Sequence, residues 1–496
     1  MTYEVVVVGG GIGGLTVAAL LAARGVNVCL LEKEDTTGGC AANYAIGGYA
    51  FEGGAGLYSS WGPGELHENI FAELKLSPLE ARPAEPAYVV RLAHKRDVAI
   101  CADREQFESN LASAFPECAR ATIAFYRELA SIDSAIRNAA ARLPDLPHAS
   151  SLKVRRALGI FQGRGVIASR HDKVAKHLRE VSSHFVQFLD AQLQLFGQCS
   201  SEECSYLYAA LALMLPRHGL YVLRGGGSTL SESLTASIKQ SGGTVRLNTP
   251  VLRLAYSPEG IVSGVELLSG ETVYAERAVI SNLTVWDTYG KLVGASRTPA
   301  QIREQLKSTH SQGAYLMYLA MDEAAAQCLP ADHLLAVTEG KGELISDSSS
   351  SPFMFAATPA WDRRAPEGKR AVTVWTTTDT EQWFSFHENE QQLEDQDQET
   401  LEACWATIHA CLPELGSDIE IIETATPLSF YERTRRRLGM VGGVAQFPSV
   451  FGPNSFGHTT PIPRLYTVGD TNFPGQGIAA VSYSARVLAN ELTALR

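Results

Sequence analysis

Glycines near the start of the chain have the spacing of a phosphate-binding turn. The apolar run Val5–Val8 predicts a buried strand, and residues 9–14 directly after it have the pattern Gly-x-Gly-x-x-Gly. The first glycine allows a tight turn, the second lets the backbone approach a pyrophosphate, and the third lets the next helix pack closely on the strand. That helix directs its free N–H groups and the positive end of its dipole at the phosphates. The residues that we expect to contact a dinucleotide here are Gly9, Gly11, Ile12, Gly13 and Gly14.

A carboxylate follows at the position where the ribose of such a nucleotide is expected. The helix after the glycines ends at Gly25, and the apolar run 26–31 predicts a second buried strand that stops at Glu32. An acid at this strand end accepts hydrogen bonds from ribose hydroxyls and disfavours a 2′-phosphate. We therefore expect Glu32, with Lys33 beside it, to bind an unphosphorylated nucleotide.

Residues close to the C-terminus could complete this site. Residues 465–470 form a short apolar run that ends in Gly469 and Asp470, and a glycine-rich loop ending at Gly477 leads into a helical pattern from Ile478. A carboxylate at a strand end binds a ribityl hydroxyl. The glycines let the N-terminus of the helix approach an isoalloxazine ring, where the helix dipole stabilises negative charge on a reduced flavin. The glycine turn alone fits NAD or FAD, and the two ends of the chain together favour FAD.

The composition is that of a globular protein with more than one domain. The 496 residues exceed what a single core usually organises, and 45% of them are apolar against 19% charged. A formal net charge of -12 argues against nucleic acid as a partner, because phosphate binding needs a basic surface. The nine cysteines include no Cys-x-x-Cys pair, and no His/Cys spacing indicates a metal site. We therefore expect reduced thiols, no metal and no nucleic acid.

The sequence does not predict a membrane-spanning or secreted protein. An apolar strand begins almost at the first residue, which leaves no room for a secretion signal. The longest apolar run, residues 206–215, is well short of the roughly 20 residues that span a bilayer. We expect a cytoplasmic protein that could still touch a membrane from one side.

A basic segment, residues 153–179, interrupts the acidic balance of the chain and contains a single acid, Asp172. Its basic residues are Lys153, Arg155, Arg156, Arg164, Arg170, Lys173, Lys176 and Arg179. Its interleaved apolar residues are Leu158, Ile160, Phe161, Val166 and Ile167. A cationic surface next to apolar side chains is typical of reversible contact with an anionic membrane, so a membrane surface is one expected partner. The alternative is a solvated helix that the acidic remainder neutralises.

Further segments resemble flavoproteins of the amine-oxidase-like and phytoene-desaturase-like group. Gly-Gly-Cys at 38–40 and the block 48–53 are similar to the continuation of the nucleotide fingerprint in that group. Many members have Arg after Gly-Gly, and Cys40 in its place removes a cation expected near the pyrophosphate. Gly-Gly-Cys and Pro-Gly-Gln-Gly at 474–477 are similar to the branch of carotenoid isomerases, cyanobacterial-type carotenoid desaturases and retinol saturase. Glu52 stands where the group usually has Asp.

The middle of the chain extends the resemblance. Residues 223–230 and 243–252 are similar to the segment that crosses the adenine end of FAD in this group, and 278–282 resemble the strand that leads out of the FAD domain. These blocks are spread over the whole chain in the same order as in the family. The regions between them are similar to the family only in length and general sequence character. The resemblance adds four residues to those expected to contact FAD, namely Gly39, Cys40, Gly56 and, through its backbone, Val251.

The resemblance also implies an α/β fold made of two discontinuous domains. A Rossmann-type, glutathione-reductase-like FAD-binding domain would come from residues 1–65, 222–290 and 425–496. An α+β substrate domain would come from residues 66–221 and 291–424, with a helical, membrane-contacting segment at 150–220. The periodicity of apolar residues agrees with this division, because helical patterns dominate the first part of the substrate region and alternating patterns the second.

In such a fold the flavin carries the redox chemistry and the protein positions a substrate. A second Gly-x-Gly-x-x-Gly unit for NAD(P)H is missing from the sequence, since Gly225–Gly227 lacks the helix-opening spacing. Electrons from a desaturation would therefore pass to oxygen or a quinone, whereas an isomerase would need only catalytic reduced flavin. The residues expected near the ring are Phe473, Gln476 and Gly477. Arg433, Arg435 and His458 are polar candidates there, although a surface charge or a loop histidine is the favoured interpretation of each.

Three functions stay open on sequence grounds. The first is desaturation or cis–trans isomerisation of a carotenoid-like polyene, a hydrophobic small molecule. The second is oxidation of a smaller substrate by an amine-oxidase-like or natural-product oxidase, and the third is a noncatalytic flavoprotein that binds lipid. Cys40 is either a redox residue or a small packed residue beside the cofactor. Packing is favoured because no second cysteine is placed in sequence to form a disulfide with it.

Overall fold

The computed structural model of the chain describes residues 1–144, 146, 148–159, 163–337, 352–385 and 390–494. The strands are β1 (Thr2–Val8), β2 (Val28–Leu31), β3 (Tyr44–Ile46), β4 (Tyr49–Phe51), β5 (Tyr58–Ser59), β6 (Ala81–Pro83), β7 (Tyr88–Leu92), β8 (Arg96–Ile100), β9 (Leu220–Leu223), β10 (Thr244–Arg246), β11 (Val251–Tyr256), β12 (Val262–Leu267), β13 (Thr272–Ser281), β14 (Gly313–Asp322), β15 (His333–Ala336), β16 (Phe353–Ala357), β17 (Lys369–Thr378), β18 (Ile419–Ala425) and β19 (Leu465–Thr467). The helices are α1 (Ile12–Ala23), α2 (Leu66–Glu73), α3 (Arg104–Ala114), α4 (Ala119–Arg142), α5 (Ser151–Leu158), α6 (Gly163–Ala168), α7 (Ser183–Gly197), α8 (Tyr206–Met214), α9 (Gly226–Gln240), α10 (Val285–Asp287), α11 (Ala300–Lys307), α12 (Glu323–Ala326), α13 (Thr380–Ser385), α14 (Glu390–Cys411), α15 (Pro427–Thr434) and α16 (Ile478–Ala494).

A seven-stranded sheet, parallel at its centre, carries both ends of the chain. Its order is β10-β2-β1-β13-β12-β11, and β19 pairs with the end of β13. β1, β2, β10, β13 and β19 run parallel, whereas β11 and β12 form an antiparallel extension. The predicted strand Val5–Val8 is confirmed and fully buried. Because β1, β2, β13 and β19 run parallel, the residues that follow them lie at one edge of the sheet. Sheets of this kind bind ligands at that edge, beyond the carboxyl ends of their strands.

Helices α1, α9 and α16 cover one face of this sheet. α1 begins at Ile12 directly after the glycine turn, as predicted, and is buried as far as Ala22. α9 and α16 both pack against α1, and their apolar side chains form one core with β1 and β2. The small residues of α1, such as Ala18 and Ala19, are fully buried and allow this close packing. The N-termini of α1 and α16 therefore lie next to the same sheet edge.

A second seven-stranded sheet has the order β18-β14-β17-β16-β15-β7-β8, and its pairs are antiparallel except β15 with β7. Helices α3, α4, α7 and α8 pack on one of its faces, and α14 packs on the other. The two sheets with their covering helices confirm the α/β class. The expected domain boundaries at 222 and 425 fall inside β9 and on the last residue of β18. None of the described helices is long and apolar enough to cross a bilayer.

The basic segment 153–179 is arranged only partly as the sequence predicts. Its described Lys and Arg side chains are exposed. Leu158 and Val166, however, are only 5% and 7% exposed, and they belong to the helical core on the second sheet. These two residues are therefore not available to a membrane, because their apolar side chains are already packed inside the protein. The predicted residues outside the described part of the chain are Ile160 and Phe161.

Candidate functional site

The glycine turn after β1 forms an open cradle at the N-terminus of α1. Gly9 has a φ of 98°, a conformation that favours glycine. A Cβ atom on Gly14 would lie 2.2 Å from the carbonyl oxygen of Gly9, so only glycine allows the helix to start this close to the strand. No side chain in the described part of the chain caps this N-terminus, and the first turn of α1 contains no acid. The free N–H groups there suit an anion.

Asn282, directly after β13, joins this cradle to the C-terminal loop. A Cβ atom on Gly11 would lie 2.6 Å from Asn282 Oδ1, and one on Gly13 would lie 2.9 Å from Asn282 Nδ2 and 3.5 Å from the backbone nitrogen of Gly469. Asn282 Nδ2 donates to the carbonyl oxygen of Val468 at 3.0 Å. The glycines at the two ends of the chain thus meet across one amide side chain. Sequence reasoning did not select Asn282, although a polar residue at the carboxyl end of a buried strand is a usable signal.

Glu32 lies at the end of β2, facing the cradle. Its Oε2 accepts from the backbone N–H of Gly10 at 2.6 Å, and its Oε1 accepts from that of Glu34 at 3.0 Å. Burial raises the pKa of the Glu32 carboxyl, and the hydrogen bond from Gly10 opposes that rise. The backbone N–H of Thr249 donates to the Glu32 carbonyl oxygen at 2.8 Å. β11 begins at Val251, two residues after Thr249. The expected nucleotide residues Glu32 and Val251 are thus neighbours.

The segment that follows β2 returns to the glycine turn. The N–H of Gly38 donates to the carbonyl oxygen of Gly10 at 2.8 Å, and a Cβ atom on Gly39 would lie 3.3 Å from the Cα atom of Gly11. Cys40 is half-buried in the short helical turn that follows, and its thiol is free. Gly56 has a φ of 65° and lies against the side chain of Glu52. Gly39 therefore lies against the cradle, and Cys40 is the next residue in the same turn.

The C-terminal loop places a second glycine-rich surface beside the cradle. Gly469 and Gly477 have φ values of 141° and 99°, and no described atom lies within 4 Å of a Cβ atom built on Gly477. Asp470 Oδ2 accepts a hydrogen bond from Arg436 Nη2 at 2.9 Å. α16 then begins at Ile478. Together with the uncapped N-terminus of α1 and the carboxylate of Glu32, these features suit a dinucleotide whose ring end lies near Gly477.

Phe473 and Gln476 lie in this loop and differ in what they contact. The Phe473 ring packs against Phe451, with ring centroids 5.9 Å apart, and joins the apolar cluster that includes α3, α4, α7 and α8. Gln476 Nε2 donates to the carbonyl oxygens of Leu195 and Phe196 at the end of α7. The amide of Gln476 therefore ties the loop to α7. A catalytic role for Gln476 would require this tie to be released.

Gln198, which sequence reasoning missed, strengthens the same junction. This residue is 5% exposed and has a φ of 55° at the end of α7. Its Nε2 donates to the carbonyl oxygens of Val441 and Gly442 at 2.9 and 2.8 Å, and its Oε1 accepts from the N–H of Gln312 at 2.9 Å. A single buried amide thus joins three segments around the C-terminal loop.

The three polar candidates near the ring do not converge on Phe473. The carbonyl oxygen of Arg433 accepts from Lys33 Nζ at 2.7 Å, which links the end of α15 to the ribose side of the cradle. Arg433 Nη2 has no hydrogen-bond partner among the described residues, and its guanidinium lies 5.3 Å from the Phe430 ring. Arg435 is exposed, with its guanidinium 5.1 Å from the ring of Tyr431. Both side chains therefore lie against aromatic rings of α15 and not against the loop that contains Phe473.

The imidazole of His458 contacts helix α16. Its Nε2 lies 2.6 Å from Glu491 Oε2, and Glu491 is 13 residues after Ile478. At 1.5 Å per residue this is roughly 20 Å along α16 from the end that faces the cradle. The reason is strand pairing, since the carbonyl oxygen of His458 accepts from the N–H of Thr467 and the imidazole turns toward the second half of α16. His458 is thus a helix-contacting residue.

Comparison with known proteins identifies the family. A model of the family described as flavin containing amine oxidoreductase matches residues 12–486. The chain belongs to this family. Prolycopene isomerase of Arabidopsis thaliana is 25% identical over 99% of this chain and 83% of its own length. The 4,4'-diapophytoene desaturase of Methylomonas sp is 22% identical over 98% of this chain and 94% of its own length.

Solved structures of the amine oxidoreductase type have the same fold. Cyclohexylamine oxidase from Brevibacterium oxydans matches with a TM-score of 0.59 at 17% identity, covering 99% of both chains. At that identity the match shows the fold alone. Membership of this family makes the chain an FAD-dependent oxidoreductase. When bound, FAD supplies the two-electron chemistry, and the residues of the chain bind it, orient it and exclude water.

The three glycines Gly225–Gly227 correct another expectation from the sequence. They do open a helix, since α9 begins at Gly226. They do not form a second phosphate cradle, because a Cβ atom on Gly227 would lie 2.0 Å from the carbonyl oxygen of Ala41, and one on Gly226 would lie 2.4 Å from Glu52 Oε1. The chain itself fills the space. The glycines thus let α9 pack against the segment that lines the FAD cradle.

Buried charges lie under this contact. Glu52 accepts from Arg364 Nη1 at 2.6 Å and from the hydroxyl of Tyr58 at 2.9 Å. Arg364 Nε donates to Asp362 at 2.6 Å, and the carboxylate of Asp362 accepts from the N–H of Gly225. Burial lowers the pKa of Arg364, but the neighbouring carboxylates of Glu52 and Asp362 outweigh it and raise that pKa. This network, Glu52–Arg364–Asp362, fastens the second sheet to the cradle.

We expect acid to destabilise the protein partly through His67, a buried residue of α2. His67 Nε2 contacts Ser482 Oγ of α16 at 3.3 Å, and its ring stacks on Trp61 at 4.4 Å. Burial lowers the pKa of His67 from 6.5 to about 4. The folded state thus resists protonation that the unfolded state accepts, so stability present above pH 6.5 is lost as the pH falls toward 4.

The size of this effect can be measured in urea titrations. At pH 5 the loss from His67 is about 2 kcal/mol relative to pH 7. His67→Asn, which cannot take up this proton, should show a smaller drop between the two pH values, whatever its stability at pH 7. An equal drop in the wild type and in His67→Asn would contradict the assignment.

Proposed function

We propose that this FAD-dependent oxidoreductase desaturates or cis–trans isomerises a carotenoid-like polyene. Support comes first from the relatives, because the isomerase and the desaturase named above match nearly the whole chain, although at low identity. A zebrafish protein named all-trans-retinol 13,14-reductase, 24% identical over 94% of this chain, adds a third relative with a conjugated substrate in its name. A hydrophobic small molecule is therefore the proposed substrate class.

The observation that carries the proposal is the apolar surrounding of Phe473. This residue of the C-terminal loop packs into a single apolar cluster built from α7, α8 and the second sheet. The cluster includes Phe196, Tyr208, Met354, Trp375, Phe447 and Phe451. A polyene offers no group for hydrogen bonding, so its binding energy must come from apolar contacts, at about 0.8 kcal/mol for each buried CH₂. The aromatic and aliphatic side chains of this cluster, next to the C-terminal loop, meet that requirement.

In this proposal the FAD lies across the edge of the parallel sheet. The adenosine part lies by Glu32, Lys33 and Val251, and the pyrophosphate lies over the start of α1. The ribityl chain lies by Asp470 and the ring by Gly477. The pyrophosphate residues are Gly9, Gly11, Ile12, Gly13, Gly14, Gly39 and Cys40. We propose the FAD-binding domain as residues 1–65, 222–290 and 425–496, and the substrate domain as the remainder.

The test is anaerobic incubation of the holoprotein with carotenoid-like polyenes of defined double-bond geometry. Loss of two hydrogens with bleaching of the flavin absorbance indicates desaturation, with oxygen or a quinone as the final electron acceptor. Unchanged mass with a changed absorption spectrum, after prior reduction of the flavin, indicates isomerisation. Protein stripped of flavin is the control and should do neither. Bleaching by small amines, with no product from any polyene, would overturn the proposal.

We also propose that the exposed basic face around Lys153, Arg155 and Arg156 meets an anionic membrane from which the substrate is taken. Leu152, which is 78% exposed, supplies an apolar side chain beside these charges. Each exposed cation near such a surface contributes about 1 kcal/mol. Replacing the three basic residues by Gln should lower co-sedimentation with phosphatidylserine-containing liposomes.

The matched control for this liposome measurement replaces three exposed basic residues elsewhere, Arg104, Arg253 and Lys307, whose side chains are 73%, 63% and 71% exposed. This control changes the net charge equally and should leave liposome binding near the wild-type level. Equal loss in both triple variants, or binding that does not depend on anionic lipid, would contradict the membrane contact.

A further inference from the structure

Arg436 connects the C-terminal loop to the segment that continues the glycine turn. Its Nη2 donates to Asp470 Oδ2 at 2.9 Å and its Nε donates to the carbonyl oxygen of Met440 at 2.7 Å. α15, which ends two residues before Arg436, packs against the helical turn Gly39–Ala41. The side chain is 16% exposed. The guanidinium is thus bound to Asp470 in the C-terminal loop, close enough to Cys40 to interact with it electrostatically, and largely shielded from bulk solvent.

The surroundings of Arg436 keep it charged. Burial lowers the pKa of the guanidinium, but Asp470, Cys40 and Asp287 together raise it above its ordinary value. Lys33, a second basic residue at the cradle, is already engaged, because its Nζ binds Glu34 and the carbonyl oxygen of Arg433. Within the described residues, Nη1 of Arg436 makes no hydrogen bond to the protein, so this edge of the guanidinium can still donate.

The FAD position needs a cation at this point. The pyrophosphate of FAD carries two negative charges, and the carboxylate of Asp470 adds a third. The N-terminus of α1 offers only about half a positive charge. An unpaired carboxylate beside a diphosphate in a half-enclosed cleft would repel it, and Cys40 has no cationic form. A planar guanidinium can bind a carboxylate and a phosphate at the same time through different edges.

We propose that Arg436 binds the pyrophosphate of FAD while it holds Asp470 toward the ribityl chain, and so supplies the positive charge that the residue at position 40 lacks. Arg436 is then a cofactor-positioning residue whose effect is on FAD affinity. The inference rests on the proposed placement of FAD over the start of α1 and is independent of the substrate.

The test compares FAD dissociation constants of purified holoproteins, measured by the fluorescence of FAD released on dilution at several salt concentrations. Arg436→Gln should bind FAD on the order of 10- to 100-fold more weakly than the wild type, with a flatter salt dependence. Arg437→Gln is the matched control, because that side chain is exposed, and it should stay within about twofold of the wild type. The double variant Cys40→Arg/Arg436→Gln should regain most of the lost affinity.

The rescue distinguishes charge from mere packing. If Arg436 only held the loop together, an arginine at position 40 would not restore FAD binding, and that failure would overturn the inference. Wild-type affinity in Arg436→Gln would overturn it as well. The placement of FAD is tested separately by Gly14→Val: loss of FAD in that variant with full retention in Arg436→Gln rejects only the role of Arg436. Retention in both variants rejects the placement itself.

Discussion

Gly14→Val should purify with less FAD than the wild type and bind added FAD more weakly. A Cβ atom at position 14 would lie 2.2 Å from the carbonyl oxygen of Gly9 and 3.0 Å from Asn282 Cβ, and the backbone at the two strand ends cannot move away at little cost. α1 must then move away from β1, which opens the cradle and displaces the N–H groups from the pyrophosphate. Overpacking of this kind costs about 1–3 kcal/mol, and a cost of that size in the FAD-bound state corresponds to roughly a 5- to 150-fold loss of affinity.

The measurement for Gly14→Val is the ratio of flavin to protein absorbance after purification, followed by titration with FAD. Gly290→Ala serves as the control glycine, because no described atom lies within 4 Å of a Cβ atom at position 290. That variant should purify with a full complement of flavin. Full occupancy in Gly14→Val would show that the nucleotide does not lie over the start of α1.

The second large effect is expected on stability, from Arg364→Met. The side chain of Arg364 is 4% exposed, and it neutralises Glu52 and Asp362, which are 9% and 4% exposed. Removing the guanidinium leaves two buried carboxylates without a counter-ion, and breaking such an arrangement costs about 3–5 kcal/mol. Thermal and urea unfolding should both show the loss. FAD binding should weaken as a consequence, because the network lies under Gly226 and the lining of the cradle.

Arg82→Met is the matched control for this stability measurement. Arg82 and its partner Glu80 are 49% and 40% exposed, and such a surface pair contributes about 1 kcal/mol or less. Equal destabilisation by Arg82→Met and Arg364→Met would contradict the importance of the buried network. The double variant Glu52→Gln/Arg364→Met should have a higher free energy of unfolding than Arg364→Met alone, since it removes one of the two carboxylates left without a counter-ion.

Features written in consecutive residues could be predicted from the sequence. The run Val5–Val8, the glycine turn and the carboxylate at Glu32 lie within one stretch whose hydrophobicity and spacing fix a strand, a turn and a helix start. Gly469 and Asp470 could be predicted as site residues for the same reason. Each of these signals depends on local backbone geometry, such as the φ of 98° at Gly9, and glycine is the residue that tolerates it.

Features made by residues far apart in the chain could not be predicted in this way. Glu52 and Arg364 are separated by 312 residues, and Gln198 and Gln476 by 278. Neither pair has a local pattern, because a buried ion pair or amide is specified only when the fold brings its two partners together. Asn282 could have been selected as the polar end of a buried strand. Its contact with Gly11 and Gly13 nevertheless required the sheet order.

The wrong expectations have the same physical origin. His458 lies just before the C-terminal motif in the sequence, and the pairing of its backbone with Thr467 directs its imidazole toward Glu491. Leu158 and Val166 belong to a segment whose charges suggested an exposed apolar face, yet both pack into the helical core. An amphipathic pattern defines which face of a helix is apolar. It does not say whether that face meets the protein or a membrane.

The most direct measurement is an experimental structure of the FAD-bound protein with a polyene present. The proposal predicts the pyrophosphate over the N–H groups of Ile12 and Gly13 with Arg436 beside it. It also predicts the isoalloxazine ring by Gly477 and the polyene against the apolar cluster around Phe473. A ring sealed off from that cluster by protein, or a pyrophosphate remote from the start of α1, would contradict it.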